Sequence, residues 1–141
     1  IQEDFGNGII RAPKDTLIDG MSVLTFAISR PPKSIQQIID DYHIDVNTDI
    51  DYFLIHQANK LIVDRVVKKL HLPIDKVPYD LEEFGNLGGA SIPSLMVTRI
   101  AEPMRQHKPI KMLCSSFGLG LSWGTMIITA NNVIIPDLIE V

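Results

Sequence analysis

Ile50-Asp51-Tyr52-Phe53-Leu54-Ile55-His56-Gln57-Ala58-Asn59 changes character partway along. Its first part, Ile50 to His56, is nearly all apolar and only strand-sized, the pattern of a strand buried on both faces. Its second part is polar. Residues 59–71 then carry Leu61, Ile62, Val66 and Leu70 at helical spacing, with Lys60, Asp64 and Lys68 on another side. A doubly buried strand that runs into an amphipathic helix is a unit of layered α/β domains.

Working outward, Asn47-Thr48-Asp49 is turn chemistry. Ser34-Ile35-Gln36-Gln37 has the Ser-x-x-Gln form of a capping box, which predicts a helix from about Ser34 to His43. Pro31-Pro32 interrupts an earlier helical run, Met21 to Ile28, that follows Asp19-Gly20. Residues 1–18, with Gly6, Gly8 and Pro13, fit an opening strand and loop. On the other side, Pro73 and Pro78 bracket a connection, and Gly85-Asn86-Leu87-Gly88-Gly89 is a glycine-rich bend. The bend leads into a helix with Pro93 in its first turn and Ile92, Leu95, Met96 and Ile100 on one face; Pro103 kinks or closes it. Residues 110–117 read as a strand, Gly118-Leu119-Gly120 as a tight turn, Trp123 to Thr129 as a returning strand, and Val133 to Ile135 as a further one. The expected architecture is α/β, a mixed β-sheet covered by α-helices.

The chain has 141 residues, 45% hydrophobic and 21% charged, which suits one globular domain with a proper core. A formal charge of −4 argues against a nucleic-acid surface, which needs a basic excess to displace counterions. No run is long and apolar enough to span a bilayer as a helix. Cys114 is the single cysteine, so neither an internal disulfide nor a cysteine-based metal cage can form, and no metal site is expected. A reducing, cytoplasmic setting is the simplest reading. The sequence opens at Ile1 without an initiator methionine, and the expectation is a piece of a longer polypeptide.

Three places can carry chemistry. His56 stands at the end of the buried strand, where ligand and catalytic groups of open α/β sheets collect, although a histidine that caps the next helix would look the same. Asn86 sits between glycines that permit positive φ, and a rigidly held amide can aim N–H donors at developing charge; a plain Asn-Gly turn is the alternative. Ser116-Phe117-Gly118-Leu119-Gly120 can present backbone N–H groups to an oxyanion, or be an ordinary hairpin.

In combination they are more specific. His56-Gln57-Ala58-Asn59, then Gly85-Asn86 thirty positions after the histidine, then Phe117-Gly118-x-Gly120-x-x-Trp123-Gly124, occur in one order at strand ends. Over roughly residues 17–130 this resembles the C-terminal half of ketoacyl-ACP synthase III, a condensing enzyme of the thiolase superfamily. The resemblance implies a thiolase-like half-domain spanning 1–141, whose N-terminal mate supplies a cysteine that attacks an acyl-CoA or acyl-carrier thioester. It implies decarboxylation of malonyl-ACP and attack of the enolate on the acyl-enzyme, with no cofactor beyond these substrates. His56 and Asn86 would hydrogen-bond the malonyl thioester oxygen. The Leu119 N–H would hold the oxyanion of the acyl step, Phe117 would pack beside the cysteine, and Gln57 and Asn59 would serve the pantetheine arm or orient the site. Lys60, Arg65, Lys68 and Lys69 would dock the acidic acyl carrier protein, unless they are simply a solvated face on which Asp64 pairs with Lys68. The full-length enzyme would be a homodimer.

Cys114, inside a strand with no helix N-terminus beside it, reads as a buried, inert thiol and not as the nucleophile. Three departures from the family pattern, Met21, Leu61 in place of an arginine, and Leu119 in place of a glycine, predict a divergent member with another acyl donor or carrier. Alternative readings are a non-catalytic thiolase-fold interaction module and a same-fold acyltransferase that does not decarboxylate. The isolated fragment is expected to be inactive, and self-associating or marginally stable because apolar surface lies uncovered.

Overall fold

In the computed structural model, which describes residues 3–4, 8, 10–12, 18–106 and 108–139, the apolar stretch at 52–55 forms a strand laid parallel to a second, distant one. In chain order the elements are β1 (Glu3–Asp4), β2 (Ile10–Arg11), α1 (Gly20–Ala27), α2 (Arg30–Asp41), β3 (Tyr52–Ile55), α3 (Lys60–Leu70), α4 (Leu81–Phe84), α5 (Ser91–Thr98), α6 (Ala101–Arg105), β4 (Ile110–Gly118) and β5 (Ser122–Ala130). β1 and β2 make a small antiparallel pair; the rest of the opening segment lies mostly outside the described residues. The main sheet has the order β3-β4-β5, parallel between β3 and β4 (Tyr52 opposite Met112, Ile55 opposite Ser115) and antiparallel between β4 and β5. It is mixed, as expected.

Side-chain alternation along the strands divides the core in two. Phe53, Ile55, Leu113 and Phe117 face one way and pack with Phe26, Ile35, Ile62 and Val66 from α1, α2 and α3. Leu54, Met112 and Cys114 face the other way and pack with Leu95 of α5, Met104 of α6 and Ile100 at the junction between them. The sheet is therefore covered on both faces, which explains why β3 carries no polar residue.

Two proline effects correct the sequence reading. Pro31-Pro32 do not separate α1 from a helix that begins at Ser34; they occupy the first turn of α2, which starts at Arg30 with Ser29 as its N-cap residue. A proline ring excludes the carbonyl four residues back from a continuous helix, so the break falls at Ile28–Ser29, and the first turn then tolerates the missing N–H groups. Ser34 is thus inside the helix, not its cap. By the same rule Pro103 breaks the chain at Arg99–Ile100, between α5 and α6, and itself lies within α6. Val133 to Ile135 form no strand, although Val133 and Ile135 pack on the α5/α6 side of the core. Among the described residues no helix is long and apolar enough to cross a membrane.

The starts of α1 and α3 follow side-chain capping. Asp19 accepts hydrogen bonds from the Met21 and Ser22 N–H groups (3.1 Å each), and the Ser22 hydroxyl, which donates to the carboxylate at 2.6 Å, leads the backbone bonds in lowering its pKa. At α3 the cap is Asn59, whose Oδ1 accepts from the Ile62 N–H at 2.9 Å. Asn59→Ala is expected to cost about 1 kcal/mol, whereas Ser34→Ala, a cap by sequence only, should stay within about 0.5 kcal/mol of wild type; urea denaturation of both variants checks the pair.

Candidate active site

The parallel ladder between β3 and β4 ends where His56 donates its backbone N–H to the Ser115 carbonyl at 2.9 Å. The main chain of His56 is thereby pinned at the carboxyl end of the sheet. Its imidazole is 6% exposed and packs edge-to-face on Phe117, with ring centroids 4.9 Å apart at 84°. Nδ1 is sealed without a hydrogen-bond partner, so Nε2 is the nitrogen left to meet a ligand. Burial holds the imidazole pKa below its ordinary value, which keeps the ring neutral near pH 7. The helix-cap alternative fails, since Asn59 takes that place.

Asn86 is exposed, on the bend between α4 and a short 3₁₀ turn at Gly88–Ala90. Gly85 (φ 66°) and Gly88 (φ 57°) flank the bend in the left-handed region that favours glycine. Asn86 Oδ1 accepts from the Gly88 N–H at 2.9 Å, which orients the amide and leaves its Nδ2 donors for other use. His56 and Asn86 are not bonded to each other. The third motif is a turn at Leu119–Leu121 in which Gly120 adopts φ 76°. Leu119 is 93% exposed there, and Phe117, at the end of β4, is buried.

Other candidates need revision. Gln57 is fully buried and donates Nε2–H to the Ile55 carbonyl at 2.8 Å, so it braces the end of β3 and is out of reach of a pantetheine arm. Asn59 is exposed, but its carbonyl is spent on the α3 cap; only its Nδ2 side remains for a substrate. Asp64 pairs with Lys60 at 3.1 Å, not with Lys68, and Lys60 also lies over the Tyr79 ring. Lys69 donates to the Ile28 carbonyl at 3.0 Å, closing the C-terminus of α1. Arg65 and Lys68 are exposed on the same side of α3. The residues that depart from the family pattern present apolar surface: Met21 is 71% and Leu61 50% exposed. Sequence reasoning missed Phe26, which packs edge-to-face on both Phe117 and Trp123 although it lies far from them in sequence, and no local signal marks it.

A mixed three-stranded sheet between two helical layers, with a neutral histidine at a strand end and an amide on a glycine bend, is one half of a thiolase-like fold. More narrowly, the chain belongs to the 3-oxoacyl-[acyl-carrier-protein (ACP)] synthase III family, whose C-terminal model matches residues 45–130. It is 40% identical over 113 residues to a beta-ketoacyl-[acyl-carrier-protein] synthase III of Streptococcus gordonii, and 42% identical over 115 residues to one of Streptococcus pneumoniae. Each match takes in 79% of this chain and 35% of the relative, so the chain spans about a third of the length of these relatives. The crystal structure of a 3-oxoacyl-(acyl-carrier protein) synthase from Burkholderia xenovorans superposes with a TM-score of 0.85 at 30% identity, over 93% of this chain and 37% of that one. The synthase III of Pseudomonas aeruginosa gives 0.71 at 26% identity, over 88% and 40%.

Cys114 is buried on the α5/α6 side of the sheet, and burial pushes its pKa up to about 11. Iodoacetamide at pH 7.5 should leave it unmodified in the folded protein and label it fully in urea, as mass spectrometry of the tryptic peptide will show. His56 carries the opposite titration signature. The unfolded chain gains a proton in the ordinary histidine range, which the buried ring resists, so stability conferred by the neutral ring is complete above that range and declines as pH falls through it. Denaturation midpoints measured from pH 7.5 down to 5.5 should show this decline in wild type and a weaker one in His56→Gln.

Proposed function

We propose that this chain contributes His56 and Asn86 to the active site of a 3-oxoacyl-ACP synthase III-type condensing acyltransferase in fatty acid or related biosynthesis. The rest of a longer polypeptide supplies the cysteine nucleophile. The reading is carried by the state of His56, a buried, neutral imidazole with one nitrogen sealed, at the carboxyl end of β3 within the segment that matches the family's C-terminal model.

A neutral imidazole Nε2–H and an amide Nδ2–H both donate without bringing a permanent charge. Aimed at the thioester carbonyl of malonyl-ACP, they stabilise negative charge as it builds on oxygen. The bond to the malonyl carboxylate breaks, carbon dioxide leaves, and the electron pair enters the enolate. The enolate carbon then attacks the acyl-cysteine carbonyl; the new carbon–carbon bond forms and the cysteine thiolate departs. The Leu119 N–H, in the turn beside Phe117, serves as a donor to the oxyanion of the acyl steps. Preorganised donors cost little reorganisation at the moment of reaction, and loss of one is worth about 3–4 kcal/mol in comparable sites.

Carrier docking narrows on α3 to Arg65 and Lys68, because Lys60 is engaged by Asp64 and Lys69 by the Ile28 carbonyl. Exposed Leu61, where the family pattern has an arginine, offers no cation to the phosphates of CoA, and exposed Met21 is apolar where the family is often polar; both support a donor or carrier other than ordinary acetyl-CoA. The intact enzyme is proposed to work as a cytoplasmic homodimer.

In the full-length protein, His56→Ala and Asn86→Ala should each slow carbon dioxide release from malonyl-ACP by about 10²–10³-fold and leave acyl-cysteine formation in place. Wild-type release rates in both variants would sink the reading. Acyl transfer without any carbon dioxide release in the wild type would point instead to the non-decarboxylating acyltransferase.

A further inference from the structure

We infer that Phe26 is a positioning residue for the His56 imidazole, acting through Phe117; the catalytic part of this inference rests on the function proposed above. The His56 side chain makes no hydrogen bond of its own: Nδ1 is sealed without a partner, and the bonds that hold the residue are main-chain ones, its N–H to the Ser115 carbonyl and its carbonyl from the Ala58 N–H. What fixes the plane of the ring is therefore packing, and the aromatic face against it is Phe117. Phe117 in turn is next to last in β4, one residue from the turn at Leu119–Leu121, where the ladder to β5 fixes its backbone but not the tilt of its ring.

Phe26 supplies the missing constraint from a different element. It comes from α1 and meets Phe117 edge-to-face at 6.2 Å and 75°, and Trp123 at 5.5 Å and 70°. Phe117 and Trp123 are directly opposite each other across β4 and β5, so Phe26 engages both members of one cross-strand pair. The result is a continuous run of near-perpendicular rings, Trp123–Phe26–Phe117–His56, that ends on the imidazole. Edge-to-face packing is orientation-dependent, because the positive ring edge seeks the negative ring face. A branched aliphatic side chain at position 26 can fill much of the volume but cannot impose that orientation.

The test uses the full-length protein with Phe26→Leu and Phe26→Tyr, compared at temperatures well below their measured Tm. The first readout is the His56 Cε1–H resonance in histidine-labelled protein, assigned by its loss in His56→Gln. It should move and broaden in Phe26→Leu and return to the wild-type position in Phe26→Tyr. The second readout is kinetic: Phe26→Leu should lower kcat for carbon dioxide release by roughly 10- to 100-fold, with the KM for malonyl-ACP and acyl-cysteine formation little changed, and Phe26→Tyr should restore it. A residue that only fills the core would lower Tm without moving the His56 signal or splitting kcat from KM. If Phe26→Leu does not fold, Phe26→Met, which also lacks a ring, takes its place. An unchanged His56 resonance in the folded ringless variant overturns the inference. Should the wild type release no carbon dioxide, the proposed condensation fails, and the resonance comparison by itself decides the role of Phe26.

Discussion

The His56 N–H to Ser115 carbonyl bond is the last rung of the parallel β3–β4 ladder, and the site is built outward from it. Parallel pairing joins segments distant in sequence and stays dry only when both faces are covered. Here α1, α2 and α3 cover one face and α5 and α6 the other. The rung sets where the strand stops, so that the histidine backbone leaves the sheet beside Ser115. From there the turn to Asn59 and α3 follows within a few residues. A shift of register by one residue would reverse the facing of Phe53, Leu54 and Ile55 and carry His56 away from Phe117.

The two candidate groups have complementary characters. His56 is kept neutral by burial and oriented by rings, whereas Asn86 is exposed and oriented by glycine-permitted backbone and the Gly88 N–H. One donor is rigid because it is packed, the other because its own carbonyl is anchored. Cys114 shows the same burial acting on an acid: the thiol is pushed up, away from the thiolate that nucleophilic attack requires. Its place on the far face of the sheet from Phe117 follows from strand alternation.

Much of this was legible in the sequence, because its determinants are local. The apolar run Tyr52 to Ile55, the helical spacing after Asn59 and the glycines around Asn86 each act over a few residues, and the motif order identified the family. Helix boundaries at the prolines were misplaced for a physical reason: a proline acts on the carbonyl four residues back, so Pro31-Pro32 and Pro103 mark breaks that lie before them. The burial of Gln57 could not be read from a polar residue beside a candidate histidine. The Lys69 tether to Ile28 and the Phe26 contact with Phe117 join residues far apart in sequence, and nothing in composition or period signals such pairs.

β5 closes the described sheet on one side, from Ser122 to Ala130, and only one of its two rows of main-chain groups is engaged by β4. Whatever polypeptide comes to lie along the other row is recognised chiefly through amides and carbonyls, groups that every residue except proline offers alike. Such a neighbour can drift far in side-chain identity and still be held in place, so long as it remains extended and free of proline. Here relatedness between proteins would be retained as geometry after it had faded as spelling.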